Sequence, residues 1–236
     1  MKRILFVAGL LIAGNAMAEE NEVKPFSMDG EFGLISTSGN TDNTSVKAKL
    51  SASQELDKWS NDFLAEGLYT ESDDSTTANQ YFISGQGNYK LENPDHRLYI
   101  FGSYKNDKLS SYNYQSTISA GWNEKLWDNG TTSFEYSVGP GYSFAETDDE
   151  NLDSAVLRGA LAFAWKVTDT ATFNQSLSTE IGEDNTKSNS ETSLSAKIND
   201  AMSLKFSLTL DHNTYVSEGT DKLDSQVAAT VVYAFF

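Results

Sequence analysis

The sequence predicts an all-β fold, a transmembrane barrel of about twelve antiparallel strands. Three observations predict it: a two-residue alternation of apolar and polar side chains, connectors that alternate between tight turns and longer acidic loops, and an apolar final strand ending on aromatics. The alternation is clearest from Phe134 to Phe144. Phe134, Tyr136, Val138, Pro140, Tyr142 and Phe144 share one face, and Glu135, Ser137, Gly139, Gly141 and Ser143 the other. The same dyad runs through Leu157 to Trp165, through Met202 to Leu210, and through Tyr81 to Leu91, where only Phe82 is out of phase. No helical period competes.

Clusters of Gly, Asn, Asp, Ser and Pro place strands near 28–37, 44–54, 59–71, 78–91, 97–107, 111–126, 131–145, 153–167, 171–183, 187–199, 202–216 and 223–236. Connectors at 56–58, 92–96, 128–130, 168–170 and 199–201 are tight, whereas 72–77, 146–152 and 217–222 are longer and acidic. An even strand number, with both termini on the short-turn side, is the layout of an outer-membrane barrel. A soluble β-sandwich is the competing architecture, and the aromatics weigh against it. All four Trp (Trp59, Trp122, Trp127, Trp165) fall near short-turn ends. Tyr69, Tyr81, Tyr104, Tyr112, Tyr142 and Tyr215 fall toward loop ends, which together makes two interfacial girdles. The last strand, with Val227, Ala229, Val231, Tyr233 and Phe235 in phase and Phe236 as an extra residue, is the kind that barrel-assembly machinery receives.

Residues 1–18 have the form of a cleaved signal peptide, with Lys2-Arg3, an apolar run from Ile4 to Ile12 and an Ala16-Met17-Ala18 cleavage site. Residues 19–27 are expected to be a short periplasmic segment and 28–236 the barrel. The chain carries 17 Lys+Arg against 34 Asp+Glu, a formal charge of −17, which excludes a basic nucleic-acid binder. With no Cys and two His, a thiolate nucleophile, a redox dithiol and a Cys/His zinc site are unavailable. No catalytic residue, cofactor or metal site is expected.

Several short motifs recur in an order that resembles a known family. They are Ser38-Gly39-Asn40-Thr41-Asp42, Ser119-Ala120-Gly121-Trp122, Gly139-Pro140-Gly141-Tyr142, Gly182-Glu183-Asp184-Asn185-Thr186, Asn199-Asp200, His212-Asn213 and the ending Val232-Tyr233-Ala234-Phe235. The chain resembles the salt-induced outer membrane proteins of YdiY type, catalogued as a domain of unknown function. The resemblance implies an outer-membrane barrel linked to salt stress and supplies no catalytic residues.

With the aromatic face toward lipid, the opposite face lines the lumen. By parity its acids are Asp29, Glu31, Asp62, Glu66, Glu135, Glu180, Glu191 and Asp211. Its bases are Lys47, Lys49, Lys90, Arg97, Lys105, Lys125, Arg158, Lys166, Lys197 and Lys205, so the lumen is nearly neutral. Two arrangements fit: a salt-bridged interior, or a narrow polar pore between packed eight-stranded barrels and open sixteen-stranded porins. Excess acid falls on the loop rim, at Asp73, Asp74, Asp148, Asp149, Glu150, Glu183 and Asp184 among others. A solvated rim explains it, and binding of divalent cations beside lipopolysaccharide is the sharper alternative.

The expected function is a narrow passive channel for small polar solutes or ions in the outer membrane, with a structural or surface-interaction barrel as the alternative. Lipid hydrolysis is disfavoured, because Asp211 and His212 point to opposite faces and no Ser stands two residues from His212. Leu161→Arg on the apolar face is expected to cost about 2–4 kcal/mol, and a lumen change such as Ser137→Lys to be tolerated.

Overall fold

A computed structural model describes residues 25–38, 43–72, 75–107, 112–147 and 150–235. The segment expected to be the signal peptide lies outside them. The described residues form twelve strands: β1 (Phe26–Ser38), β2 (Asn43–Glu55), β3 (Trp59–Ser72), β4 (Ser75–Lys90), β5 (His96–Asp107), β6 (Tyr114–Asp128), β7 (Thr132–Glu146), β8 (Ser154–Lys166), β9 (Ala171–Gly182), β10 (Thr186–Lys197), β11 (Met202–Asn213) and β12 (Leu223–Ala234). Every strand pairs antiparallel with its sequence neighbours, and β12 closes on β1 from Asp29↔Ala234 to Ser38↔Ser225. Closure leaves no unpaired edge, which hydrocarbon would penalise. A twelve-residue strand tilted about 40° rises roughly 30 Å, enough to cross an apolar band about 25 Å tall.

Burial is inverted relative to a soluble protein. Among the described residues the buried apolar side chains are seven, and the buried polar or charged ones are eighteen. Large apolar groups such as Phe32, Ile83, Ile100, Leu157, Ile181 and Phe206 lie bare on the outer wall. That distribution fits a wall whose solvent is lipid, and it removes the sandwich alternative.

At the short-turn end the outer wall carries exposed Phe26, Trp59, Trp127, Trp165, Tyr233 and Phe235. Trp59 meets Tyr89 edge-on at 5.2 Å, and Trp127 stacks on Phe134 at 5.0 Å. Trp122 and Trp127 have opposite parity in sequence. The ladder reconciles them with a bulge between Lys125 and Trp127, which flips the face for the rest of β6. Toward the loop end Tyr69, Tyr81, Tyr104 and Tyr142 are exposed on the outer wall. Tyr112 and Tyr215 depart from the expected girdle: Tyr112 is 3% exposed and packs with Ala145, Leu152 and Tyr215 over the barrel mouth.

Two further differences concern connectors. β3 and β4 extend toward each other as far as Ser72 and Ser75, so the expected 72–77 loop is mostly strand. His96, which the sequence places at the end of the 92–96 connector, starts β5, with its ring 5.3 Å from that of Trp122 and Nε2 3.6 Å from Glu124. Midway along the β6–β7 pair, Gly121 and Gly139 lie against each other's backbone. A Cβ at either would run into the neighbouring backbone carbonyl, so only glycine permits this close approach.

Candidate functional site

The lumen is the concave, polar surface that the fold creates. Its wall is built by the inward parity of each strand, and its charged residues meet in two tiers. In the middle tier Lys47, 2% exposed, contacts Glu66 at 2.8 Å and donates to Gln226 at 3.1 Å. Lys49 stands opposite Glu31 and Glu66 in the β1–β2 and β2–β3 registers, yet its carboxylate contact is Glu191 on β10, at 3.3 Å. Glu191 also holds Lys205 at 2.8 Å; Lys205 reaches over β12 to Glu31 at 3.1 Å, and Glu31 accepts from Thr230 at 2.7 Å. Unlike charges with shared hydrogen bonds can tolerate this burial, which isolated ions cannot.

The tier nearer the loops crosses the lumen. Lys105 on β5 contacts Asp211 on β11 at 3.4 Å, and the two strands are six apart around the barrel in either direction. A circular section of twelve strands would be about 24 Å across, too wide for a lysine and an aspartate to touch. The section is therefore flattened at this level. Asn189 donates to Asp211 at 2.8 Å, and Gln80 donates to Asp107, which lies 3.8 Å from Lys105. On the adjoining wall the Arg158 guanidinium sits 3.7 Å over the Phe101 ring and 3.8 Å from Glu180. Glu180 also takes Lys187 at 3.0 Å and a bond from Thr117 at 2.7 Å.

Above this tier the loops form a cap. Tyr112 donates its hydroxyl to the Tyr215 carbonyl at 2.8 Å, and Tyr215 donates to Glu150 at 2.6 Å. Burial, with Tyr215 alongside, pushes the Tyr112 phenol well above its ordinary pKa. Asn185 accepts from the Thr214 and Tyr215 amides and donates to Asn213, which also accepts from Gln115. A small cavity of about 10 Å³ lies between Tyr112, Leu152 and Asn185.

Two larger cavities lie along the lumen. The one on the short-turn side has a volume of about 380 Å³ and the one between the charged tiers about 240 Å³. Lys49, Leu64 and Phe101 line both and form the partition between them.

The sequence-predicted lumen residues distribute as follows. Glu31, Lys47, Arg97, Arg158 and Lys205 are buried in the wall, Lys49, Glu66 and Glu135 are half-buried there, and Asp29 is half-buried near the start of β1. Arg97 contacts Glu135 at 3.3 Å. Asp62 is exposed and lines the larger cavity, accepting from Ser53 at 2.8 Å. Lys166 and Lys197 end β8 and β10 and are exposed at the short-turn rim. Of the rim acids, Asp73, Asp74, Asp148 and Asp149 lie outside the described residues, Glu150 joins the cap, and Glu183 and Asp184 are exposed. Among the described residues no three His, Cys, Asp or Glu side chains cluster closely enough to hold a metal ion.

Sequence reasoning missed Lys187 and Asp107 as lumen groups, and it missed the inward aromatics Tyr99 and Phe101. The out-of-phase Phe82 was one pointer to them, and the placement of Tyr99 and Phe101 in phase with Arg97 and Lys105 was another. The fold also supplies a serine near His212 that linear spacing could not show. Ser188 is its partner across the β10–β11 ladder, but the Ser188 hydroxyl bonds to Thr179 at 2.9 Å and Asp211 faces inward to Lys105. That arrangement lacks the serine–histidine–carboxylate relay of a hydrolase.

The closed antiparallel barrel, apolar outside and charged within, has the fold of an outer-membrane barrel. The chain belongs to the family described as "Protein of unknown function, DUF481", whose model matches residues 30–235. It is 26% identical over 229 residues to "Uncharacterized protein YdiY" of Escherichia coli (strain K12), covering 89% of this chain and 87% of that protein. Among solved structures it is similar to the NanC porin, with a TM-score of 0.58 and 10% identity over 87% of this chain and 98% of that one. It is also similar to outer membrane phospholipase A from Escherichia coli, with a TM-score of 0.57 and 13% identity over 89% and 97% of the two chains. An outer membrane channel from Pseudomonas putida F1 matches with a TM-score of 0.53 and 12% identity over 94% and 100%. At these identities the likeness is one of fold.

Proposed function

We propose that this protein lies in the outer membrane as a narrow passive channel for small polar solutes or ions, held closed by lumen ion pairs in the conformation described. One observation carries this reading: two cavities, of about 380 and 240 Å³, each with polar groups in its lining, lie along one lumen and share the Lys49–Leu64–Phe101 partition. A barrel serving only as a wall has no need of stacked chambers. Lipid and lipopolysaccharide around the apolar band, and assembly machinery engaging the C-terminal strand, are the partners this placement entails.

Lys105 and Asp211 retain 21% and 30% side-chain exposure, so ions can reach and screen the bridge between them. A tie to salt stress belongs to the same proposal: rising ionic strength loosens the crossing tier and opens the lumen. The test is conductance of the refolded full chain in planar bilayers. Wild type should give small steps that grow faster than bulk conductivity as KCl rises, and Asp211→Asn should conduct more at low salt, with a near-linear dependence. The loop acids should make the open state modestly cation-preferring at low salt, and the preference should fade as the Debye length falls from about 30 Å at 0.01 M to about 3 Å at 1 M. Replacing Asp73, Asp74, Asp148, Asp149 and Glu150 with their amides should weaken it.

The second reading, a structural barrel without transport, is favoured by the Lys105–Asp211 crossing and by the cap of Tyr112, Leu152 and Tyr215. Absence of conductance in both wild type and Asp211→Asn would select it.

A further inference from the structure

We infer that the short-turn half of the lumen is a binding site for a neutral polyhydroxylated solute, a sugar of one or two rings. The cavity there is about 380 Å³, room for roughly a dozen waters at about 30 Å³ each and within the usual range of about 300–1,000 Å³ for small-molecule sites. Its polar lining is made chiefly of groups that both donate and accept: the hydroxyls of Ser51, Ser53, Ser84 and Ser137 and the amides of Gln86 and Asn123. Such a lining matches a ligand whose own groups are hydroxyls, each of which also donates and accepts. A one-signed ion would leave half of it unused.

Of the charges that face the cavity, Lys49 and Glu135 are matched by opposite charges, and Asp62 is held by a neutral hydroxyl. Lys49 is held by Glu191 at 3.3 Å, Glu135 by Arg97 at 3.3 Å and by Asn123 at 2.9 Å, and Asp62 accepts from Ser53 at 2.8 Å. An anionic sugar would meet two carboxylates and a cation already bound elsewhere. The upper cavity differs in kind, because the ion pairs Lys47–Glu66, Lys105–Asp211 and Arg158–Glu180 line it.

Two features give the lower cavity more than bulk polarity. Asn123 is 1% exposed; its Nδ2 is engaged by Glu135 and by the Tyr136 carbonyl, while its Oδ1 has no hydrogen-bond partner. A buried acceptor without a donor is costly, and a rotation of Asn123 toward the cavity it lines would let a sugar hydroxyl supply one. Phe101 lines the same cavity at the partition and offers apolar surface against which the C–H face of a pyranose can pack.

This site rests on the reading that solutes enter the lumen, and binding is measured without transport. The full chain, refolded in detergent micelles, is titrated with glucose, maltose, glucuronate and glucosamine by calorimetry, with folding checked by heat-modifiable mobility. Saturable binding of maltose or glucose is expected, with glucuronate and glucosamine each at least tenfold weaker. Asn123→Leu removes the unpartnered acceptor and Ser84→Phe fills the cavity; each should weaken maltose binding at least tenfold. If Asn123→Leu does not fold, Ser84→Phe alone decides. The inference is overturned if neither neutral sugar binds saturably, if a charged analogue binds tenfold tighter, or if the folded variants bind as wild type does. Maltose binding by a protein that never conducts would sink the channel proposal and leave this site standing.

Discussion

Lys47 shows how the lumen stabilises itself through single side chains. At 2% exposure its ammonium depends on Glu66 and Gln226, so Glu66→Ala should cost about 3 kcal/mol in denaturant unfolding from micelles, the penalty for a buried charge left unmatched. The paired change Lys47→Met with Glu66→Leu should recover most of that loss. Equal losses in the single and double variants would show that the pair does not set the cost. The outer wall obeys the opposite rule. Leu161 lies on the outward parity of β8 opposite Tyr136, and Leu161→Arg should cost about 2–4 kcal/mol by the same measurement. The structure changes which lumen position makes the fair control. Ser137 is buried and lies 3.5 Å from the Arg158 guanidinium, so Ser137→Lys would set two cations together, whereas Ser176, exposed inside the upper cavity, should accept Lys with little loss.

Strands β6 and β7 carry the strongest local constraint. At Gly121 and Gly139 the two backbones approach so closely that any Cβ strikes the opposite carbonyl, and Gly141 adds a third contact, 2.6 Å from the Ile118 carbonyl oxygen to a built Cβ. Gly139→Val should therefore prevent the folded, heat-modifiable band from forming. Gly102→Ala, where a Cβ meets nothing within 4 Å, should leave the band unchanged. If both behave alike, the close approach is not a constraint on assembly. The end of β12 shows a related device on the outer face. The Phe235 ring covers Gly30, where a Cβ would come within 2.9 Å of it, and the Phe235 amide donates to the Met28 carbonyl at 2.8 Å. This seam closes the barrel, and it accounts for the outward phase ending on Phe235.

Taken as one body, the barrel has its polar groups inside and its apolar groups outside, so water cannot be its solvent. The mature chain should fold only in detergent or lipid, into a strand-rich species whose electrophoretic mobility shifts on boiling. A monodisperse, water-soluble monomer with the same circular dichroism would overturn the arrangement of faces. Closure also ties the charged tiers to the shape of the section: Lys105 reaches Asp211 only because the twelve-stranded wall is flattened. A change that rounds the barrel should separate them, which is why conductance and the crossing bridge are expected to move together.

Strand existence, strand phase and the lipid-facing wall were all readable from the chain, because a period of two is a local property that each residue carries independently of its distant neighbours. The same parity put Lys47, Arg158 and Lys205 in the lumen. It could not say that Lys49 turns from Glu31 and Glu66 toward Glu191, that Lys105 meets Asp211 across the section, or that Ser188 stands opposite His212. Nor could it lift Tyr112 and Tyr215 out of the girdle into the cap. Those are contacts between residues about 24 to 142 positions apart, set by barrel closure, stagger and flattening. Alternation fixes which way a side chain faces, and only the closed wall determines what stands across from it.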